Sequence, residues 1–253
     1  MIYDFQRASM LKRVPAWLLD IILLITLATG VMAGMSYILD IDTQFEALDA
    51  VYVRYEKEFN IDFAKTNEEL AAMEEEELAR YEAAAEALSK DIEAQKTYQL
   101  VMNLTLITLS VGILVAVLLL EFLIPLLLKN GQTLGKKVFG VALMRKDGIR
   151  VTPFMMFART ILGKYTVETM VPVLLIIGLM FNVAGGIALI LLVVFLLAQI
   201  IVPFATRNKT ALHDLMACTV AVDLSSQMIF DSVEEQEEYH RRLHEENTAE
   251  ADY

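Results

Sequence analysis

The chain has a single cysteine, Cys218, and only three histidines, His213, His240 and His244. One thiol excludes an intramolecular disulfide framework, and so small a set of soft ligands leaves a structural zinc site nothing to be built from. Basic residues are scarce too, at 21 Lys/Arg against 33 Asp/Glu, for a net charge of −12. That balance gives no electrostatic footprint for nucleic acid, and no cofactor or metal is expected. Apolar residues are in excess instead, at 56 % of the 253 residues with mean hydropathy +0.49. They collect into runs at residues 16–39, 100–128 and 171–204, each long enough to cross a hydrocarbon core of about 30 Å. These runs identify an integral membrane protein, with the lipid bilayer as its first partner.

Charge is segregated along the chain. Residues 41–98 carry six Lys/Arg against sixteen Asp/Glu, residues 223–253 carry two against ten, and the remainder carries thirteen against seven. The thirteen lie beside the apolar runs: Arg7, Lys12 and Arg13 before the first; Lys129, Lys136, Lys137, Arg145, Lys146, Arg150, Arg159 and Lys164 after the second; Arg207 and Lys209 after the last. By the positive-inside rule those segments face the cytoplasm.

The last run is too long for one untilted span, and Asn182-Val183-Ala184-Gly185-Gly186 interrupts it with turn chemistry. The split gives helix three at residues 166–181 and helix four at 187–204, four spans in all, with both termini inside. Residues 166–204 also fit a re-entrant hairpin, because helix three is short. The first run resembles a signal sequence, but Asp20 lies within it and about 22 mostly apolar positions exceed a signal core, so retention is expected.

Between the first two spans Phe45, Leu48, Tyr52, Tyr55 and Phe59 recur at helical spacing, as do Tyr81, Ala85, Leu88 and Ile92. Thr66 with Glu69 has capping-box spacing for a second helix running continuously into the second span, with Glu74 to Glu77 as a place to bend or fray. The expectation is an extracytoplasmic acidic helical hairpin, either a solvated stalk or the seat of a protein partner. In the tail, Ser232 with Glu235 predicts a cap, and Glu237/Arg241 and Glu238/Arg242 are i,i+4 pairs on a short solvated helix.

On the cytoplasmic side, residues 138–144 read as a strand, Lys146-Asp147-Gly148 as a turn and residues 149–152 as the returning strand. An amphipathic helix follows over 153–164, with Arg159 and Lys164 offered to lipid phosphates. A short helix at 210–217 and a strand at 219–222 extend the hairpin into a small sheet.

Three stretches resemble the RDD family of membrane proteins, named for one arginine and two aspartates. They are Arg13, Ala16 and Asp20; then Gly131-Gln132-Thr133-Leu134-Gly135-Lys136-Lys137, Gly140, Asp147-Gly148 and Arg159; and then Thr210, Leu212-His213-Asp214, Ala217 and Thr219. The resemblance implies that Arg13, Asp20 and Asp214 are the naming residues. Cys218 stands where a glycine is usual between Ala217 and Thr219, which leaves the local backbone turn open. For function the resemblance implies transport, with sodium/proton exchange among the suggestions for some members, or a membrane scaffold. It does not extend to the acidic hairpin.

Counting residues from the cytoplasmic end of each span puts Asp20, Glu121, Glu168 and Gln199 at roughly 6 to 12 Å depth, at about 1.5 Å per residue. Acids in a span face a protein interior or a watery cavity, so these four form a candidate ion or proton cavity. Arg13, seven residues before Asp20, shares its helical face, and a helix-locking ion pair between them, with Asp214 ordering the cytoplasmic cap, is the structural alternative. His213 beside Asp214 is read as a structural hydrogen bond. An intramembrane aspartyl protease would use a Gly-x-Gly-Asp setting, which is absent from the sequence, and no catalytic residue is assigned.

The sequence thus predicts an all-α membrane protein with four transmembrane helices, an extracytoplasmic helical hairpin and a small cytoplasmic β-hairpin or sheet. Its segments are 1–40 with the first span, 41–98 as the hairpin, 99–222 with spans two to four and the cap, and 223–253 as an acidic cytoplasmic tail. The expected setting is a bacterial cytoplasmic membrane. Expected function is antiporter-like movement of Na+ or H+, as a homo-oligomer because four spans enclose little, or alternatively a scaffold or assembly factor binding partner proteins. Single cysteines in a Cys218→Ser background test the orientation. A cysteine at Ala85 should react with an impermeant thiol reagent in intact cells and one at Asn208 should not; the reverse pattern overturns it.

Overall fold

The computed structural model describes residues 6–128, 130–180, 185–206 and 210–251. The chain forms two compact units, one of Thr29–Gly112 and one of Met1–Ala28 with Ile113–Tyr253. Four helices are long and apolar enough to cross a membrane: α1 (Met10–Ile38), α5 (Ile92–Leu127), α7 (Pro153–Met180) and α8 (Gly185–Ala205). The predicted turn at Asn182-Val183-Ala184, and the basic residues Lys129, Arg207 and Lys209, lie outside the described residues.

In the 29–112 unit, α2 (Ile41–Phe59), α3 (Asn67–Ala71) and α4 (Glu75–Lys90) precede α5. The capping box forms as the spacing predicts, with Glu69 N donating to Thr66 Oγ1 at 3.3 Å and Thr66 N to Glu69 Oε2 at 2.7 Å. The second arm departs from the expected continuous helix and is broken twice. It restarts at Glu75 because the acidic stretch suits the positive end of a helix dipole. It breaks again at Asp91, whose Oδ1 accepts the Glu93 and Ala94 N–H groups at 2.9 and 3.2 Å and caps α5. Asp91 Oδ2 takes Arg54 Nη2 at 2.7 Å and Tyr55 Oη at 2.9 Å, tying α2 to this joint. The two aromatic stripes meet through Phe63, 5.7 Å from Tyr52 and 5.6 Å from Tyr81, ring centre to ring centre.

In the other unit α6 (Leu134–Val138), β1 (Val141–Arg145), α9 (Leu212–Met216), β2 (Thr219–Asp223) and α10 (Val233–Ala251) build a cap. The predicted hairpin is corrected. Residues 134–138 are helical, and β1 pairs antiparallel with β2, from Val141 opposite Asp223 to Arg145 opposite Thr219. The segment after the turn forms no strand and contributes isolated bridges, Met144 to Arg150 and Ile149 to Phe230. It is short, Pro153 behind it has no N–H to donate, and Arg150 N is already given to Phe230 O at 2.8 Å. The N-terminal segment joins the sheet instead, with Ala8 N on Ala221 O at 3.3 Å and Asp223 N on Gln6 O at 2.9 Å. Val141, Leu143, Val151, Met156, Ala221 and Ala8 pack on one face, and Ala142, Met144, Val220 and Val222 on the other.

The third apolar helix begins at Pro153, well before the expected residue 166. Thr152 caps it, accepting Met155 N at 3.3 Å, and Pro153 takes a first-turn position where its missing N–H costs nothing. The amphipathic stretch and the apolar run are one helix. The tail forms α10, capped by Ser232, which accepts Glu235 N at 3.2 Å. Gln236 is buried and reaches back to Asp147 O at 2.8 Å.

The turn left open at Cys218 is left-handed. The residue's φ is +53°, so the backbone keeps the left-handed turn that a glycine adopts freely, now with a β-carbon in it. Cys218→Gly should therefore raise stability by about 1 kcal/mol, read as a higher melting temperature of the detergent-solubilised protein. An unchanged or lower value would contradict the strain.

Candidate functional site

Ionisable side chains from five elements converge beneath the cap. Asp20, on α1, is 6 % exposed and accepts Gly135 N–H at 2.8 Å and Thr133 Oγ1 at 2.5 Å, with Lys136 Nζ 4.0 Å away. This close approach of α6 to α1 requires a glycine. A β-carbon on Gly135 would lie 2.2 Å from Ala16 O.

Glu121, on α5, is 1 % exposed and pairs with Lys164 of α7, while its Oε2 is buried outside any hydrogen bond among the described residues. Arg159, also on α7, is 1 % exposed and donates from Nε to Asp214 Oδ1 at 2.8 Å; its Nη1 is buried and likewise unbonded. Asp214 Oδ1 also accepts Thr219 Oγ1 at 3.1 Å. Glu168 accepts both the backbone N–H and Nδ1 of His213, at 2.9 and 2.7 Å, and the other ring nitrogen faces Asp214 at 3.6 Å. Gly163 lets α9 settle on α7, since a β-carbon there would lie 2.8 Å from His213 Cβ.

Two of these acids sit where a helix has changed its winding. Residues 118–123 of α5 and 158–170 of α7 are π-helical, a rare form that is frequent at functional sites. Each has a proline four residues after the acid, Glu121 with Pro125 and Glu168 with Pro172. A helical proline has no N–H for the carbonyl four residues back. A side chain from another helix serves it instead: Thr160 Oγ1 donates to Glu121 O at 3.0 Å, and Gln199 Nε2 to Glu168 O at 3.2 Å. Gln199 itself precedes Pro203 by the same spacing. This recurrence is the signal that sequence reading missed.

Of the residues predicted from sequence, Asp20 and Glu121 are joined electrostatically through Lys136, and Glu168 meets Gln199. The proposed Arg13–Asp20 lock is corrected. Asp20 is held by α6, while Arg13 Nη2 donates to Ala221 O at 2.6 Å in β2. The assignment of Arg159 and Lys164 to lipid phosphates is also corrected, because both turn inward to carboxylates. Lys136 and the pairing of His213 with Glu168 were not foreseen as parts of the site.

Outside the spans, charge balance is legible in proton affinity. Burial pushes the Lys136 ammonium down and nearby Arg159 adds to this, against Glu121 and Asp20, leaving it at about 8. Burial pushes the Asp214 carboxyl up, but Arg159, His213 and Lys136 together outweigh it and hold the group well below the usual carboxylate range. Asp223 is held down at about 2 by hydrogen bonds from Lys12 and Ser225.

The RDD family model matches residues 7–218. The chain is also similar to the uncharacterized protein YckC of Bacillus subtilis (strain 168), 30 % identical over 110 residues, which is 44 % of this chain. It spans 58 % of that relative's length. No solved structure matches.

Breaking the central pair from one side leaves an uncompensated buried charge. Arg159→Met alone should therefore cost about 3–5 kcal/mol, and Arg159→Met with Asp214→Leu much less, measured by thermal unfolding in detergent. Because the folded Asp214 affinity is depressed, its contribution is complete above the unfolded pKa of about 3.9 and is lost as pH falls below it. The double variant should lack that part of the acid limb. A single variant as stable as wild type would contradict the role of the pair.

Proposed function

The chain belongs to the RDD family, and from that premise we propose that it moves a small cation or a proton across the membrane, exchanging one for the other. The observation that carries this reading is the buried layer of Asp20, Glu121, Glu168 and Asp214 interleaved with Lys136, Arg159, Lys164 and His213. Buried ionisable groups are costly in a membrane protein and mark ion paths and proton relays. A carboxylate holds a cation or a proton but not easily both, which couples the two by competition.

Within this proposal Asp20, fixed by Thr133 and Gly135, is the charged organiser. Glu121 is the exchange position, since one of its oxygens meets Lys164 and the other is unbonded. Glu168 and Gln199 line the neighbouring side. The layer opens toward the cytoplasm, where both termini lie, in a bacterial cytoplasmic membrane, and copies of the chain associate because four spans enclose little.

Proteoliposomes carrying a pH dye test the proposal. An imposed sodium gradient should drive a pH change that Glu121→Gln reduces. Glu121→Gln with Lys164→Met should reduce it as well, and it avoids an unpaired buried lysine. Folded wild-type protein that passes neither protons nor sodium, lithium or potassium overturns the reading and leaves the scaffold alternative.

A further inference from the structure

The 29–112 unit holds a groove between α2, α4 and the first turns of α5. Its volume is about 400 Å³, within the range of small-molecule sites, and Leu48, Tyr52, Phe63, Tyr81, Leu88 and Tyr98 form most of its wall. Three of these rings are already arranged edge to face, Tyr52 on Phe63 and Phe63 on Tyr81. None of the lining residues carries a formal charge.

The surroundings are strongly charged. Residues 41–98 hold sixteen acids and six bases, and three of the bases are occupied: Arg54 by Asp91, Lys65 by Glu77 and Lys90 by Glu86. An aromatic wall set in a negative field favours one kind of occupant. Ring faces attract a cation through their quadrupole, most strongly one whose charge is diffuse and weakly hydrated. The acids concentrate such a ligand locally, while a metal ion would find no carboxylate in the wall. A partner helix needs a trough several turns long for its i, i+3, i+4 and i+7 anchors, and a groove of this volume holds one small molecule.

We propose that this groove binds a small organic cation with an apolar or aromatic body, of the aryl quaternary ammonium class. Tyr52, Phe63, Tyr81 and Tyr98 supply the ring surfaces, Leu48 and Leu88 the apolar floor, and the acidic helices the attraction. The groove shares no residue with the buried polar layer, and the transport reading is not needed for it.

Calorimetric titration of the full chain in lipid nanodiscs with benzyltrimethylammonium, corrected against empty nanodiscs, tests the assignment. Saturable one-site binding is expected, with benzyl alcohol, which has the ring without the charge, failing to compete. Tyr81→Leu and Tyr98→Leu should each weaken binding about tenfold with unchanged helicity by circular dichroism. Should Tyr81→Leu lose helicity, Tyr98→Leu at the more exposed position carries the test. Absence of saturable binding, equal competition by benzyl alcohol, or full affinity in a folded tyrosine variant overturns the proposal. So does binding of an amphipathic Lys/Leu helical peptide in place of benzyltrimethylammonium, which would assign the groove to a protein helix.

Discussion

A guanidinium that is 1 % exposed has to be neutralised where it lies, and the pairing of Arg159 with Asp214 is the constraint that arranges the cap. A buried pair recovers its desolvation cost only with good geometry and further hydrogen bonds. Both conditions are visible here. Asp214 also takes the Thr219 hydroxyl, and the neighbouring His213 is anchored to Glu168 by its backbone and its ring. Since β2 begins at Thr219, fixing Asp214 fixes the strand. The strand then sets the register of β1 and receives Arg13 on the Ala221 carbonyl. Arg13, Asp20 and Asp214 thus each tie a helix to one small cap, through Ala221, Gly135 and Arg159.

The second organising element is backbone rather than charge. Prolines in α5 and α7 deprive a carbonyl of its helical donor, and an unbonded polar group in an apolar setting is expensive. Thr160 and Gln199 meet that need from other helices, which ties α5 to α7 and α7 to α8 at the levels of Glu121 and Glu168. Both acids lie within the π-helical stretches that precede these prolines.

Much of this was legible in the sequence, for identifiable reasons. Apolar runs marked the four helices because hydrophobic length is a local property. The capping box at Thr66 and the cap at Ser232 were readable because they depend on residues three positions apart. What escaped depends on distant residues. Lys136 sits in a basic stretch that reads as a cytoplasmic flank, yet α6 turns it toward Asp20 because Gly135 permits a close approach to Ala16. Arg159 and Lys164 read as lipid anchors because their helix is amphipathic, and only the position of Asp214, 55 residues later, turns Arg159 inward. Strand pairing went to the partner with more N–H groups to offer, over the nearer one that ends in proline.

The N-terminal edge of the sheet carries a consequence for biogenesis. Ala8 bonds to Ala221, Arg13 to the same carbonyl strand 208 residues later, and Asp20 to Gly135 across 115 residues. Such contacts have high sequence separation and form late. On a ribosome the first helix is made and inserted long before its partners exist, so Asp20 enters the membrane without the donors that hold it in the finished fold. The cap then closes only when the last apolar helix is in place and β2 has emerged. Pairing of β1 with β2 can therefore follow only after all four apolar helices have been synthesised.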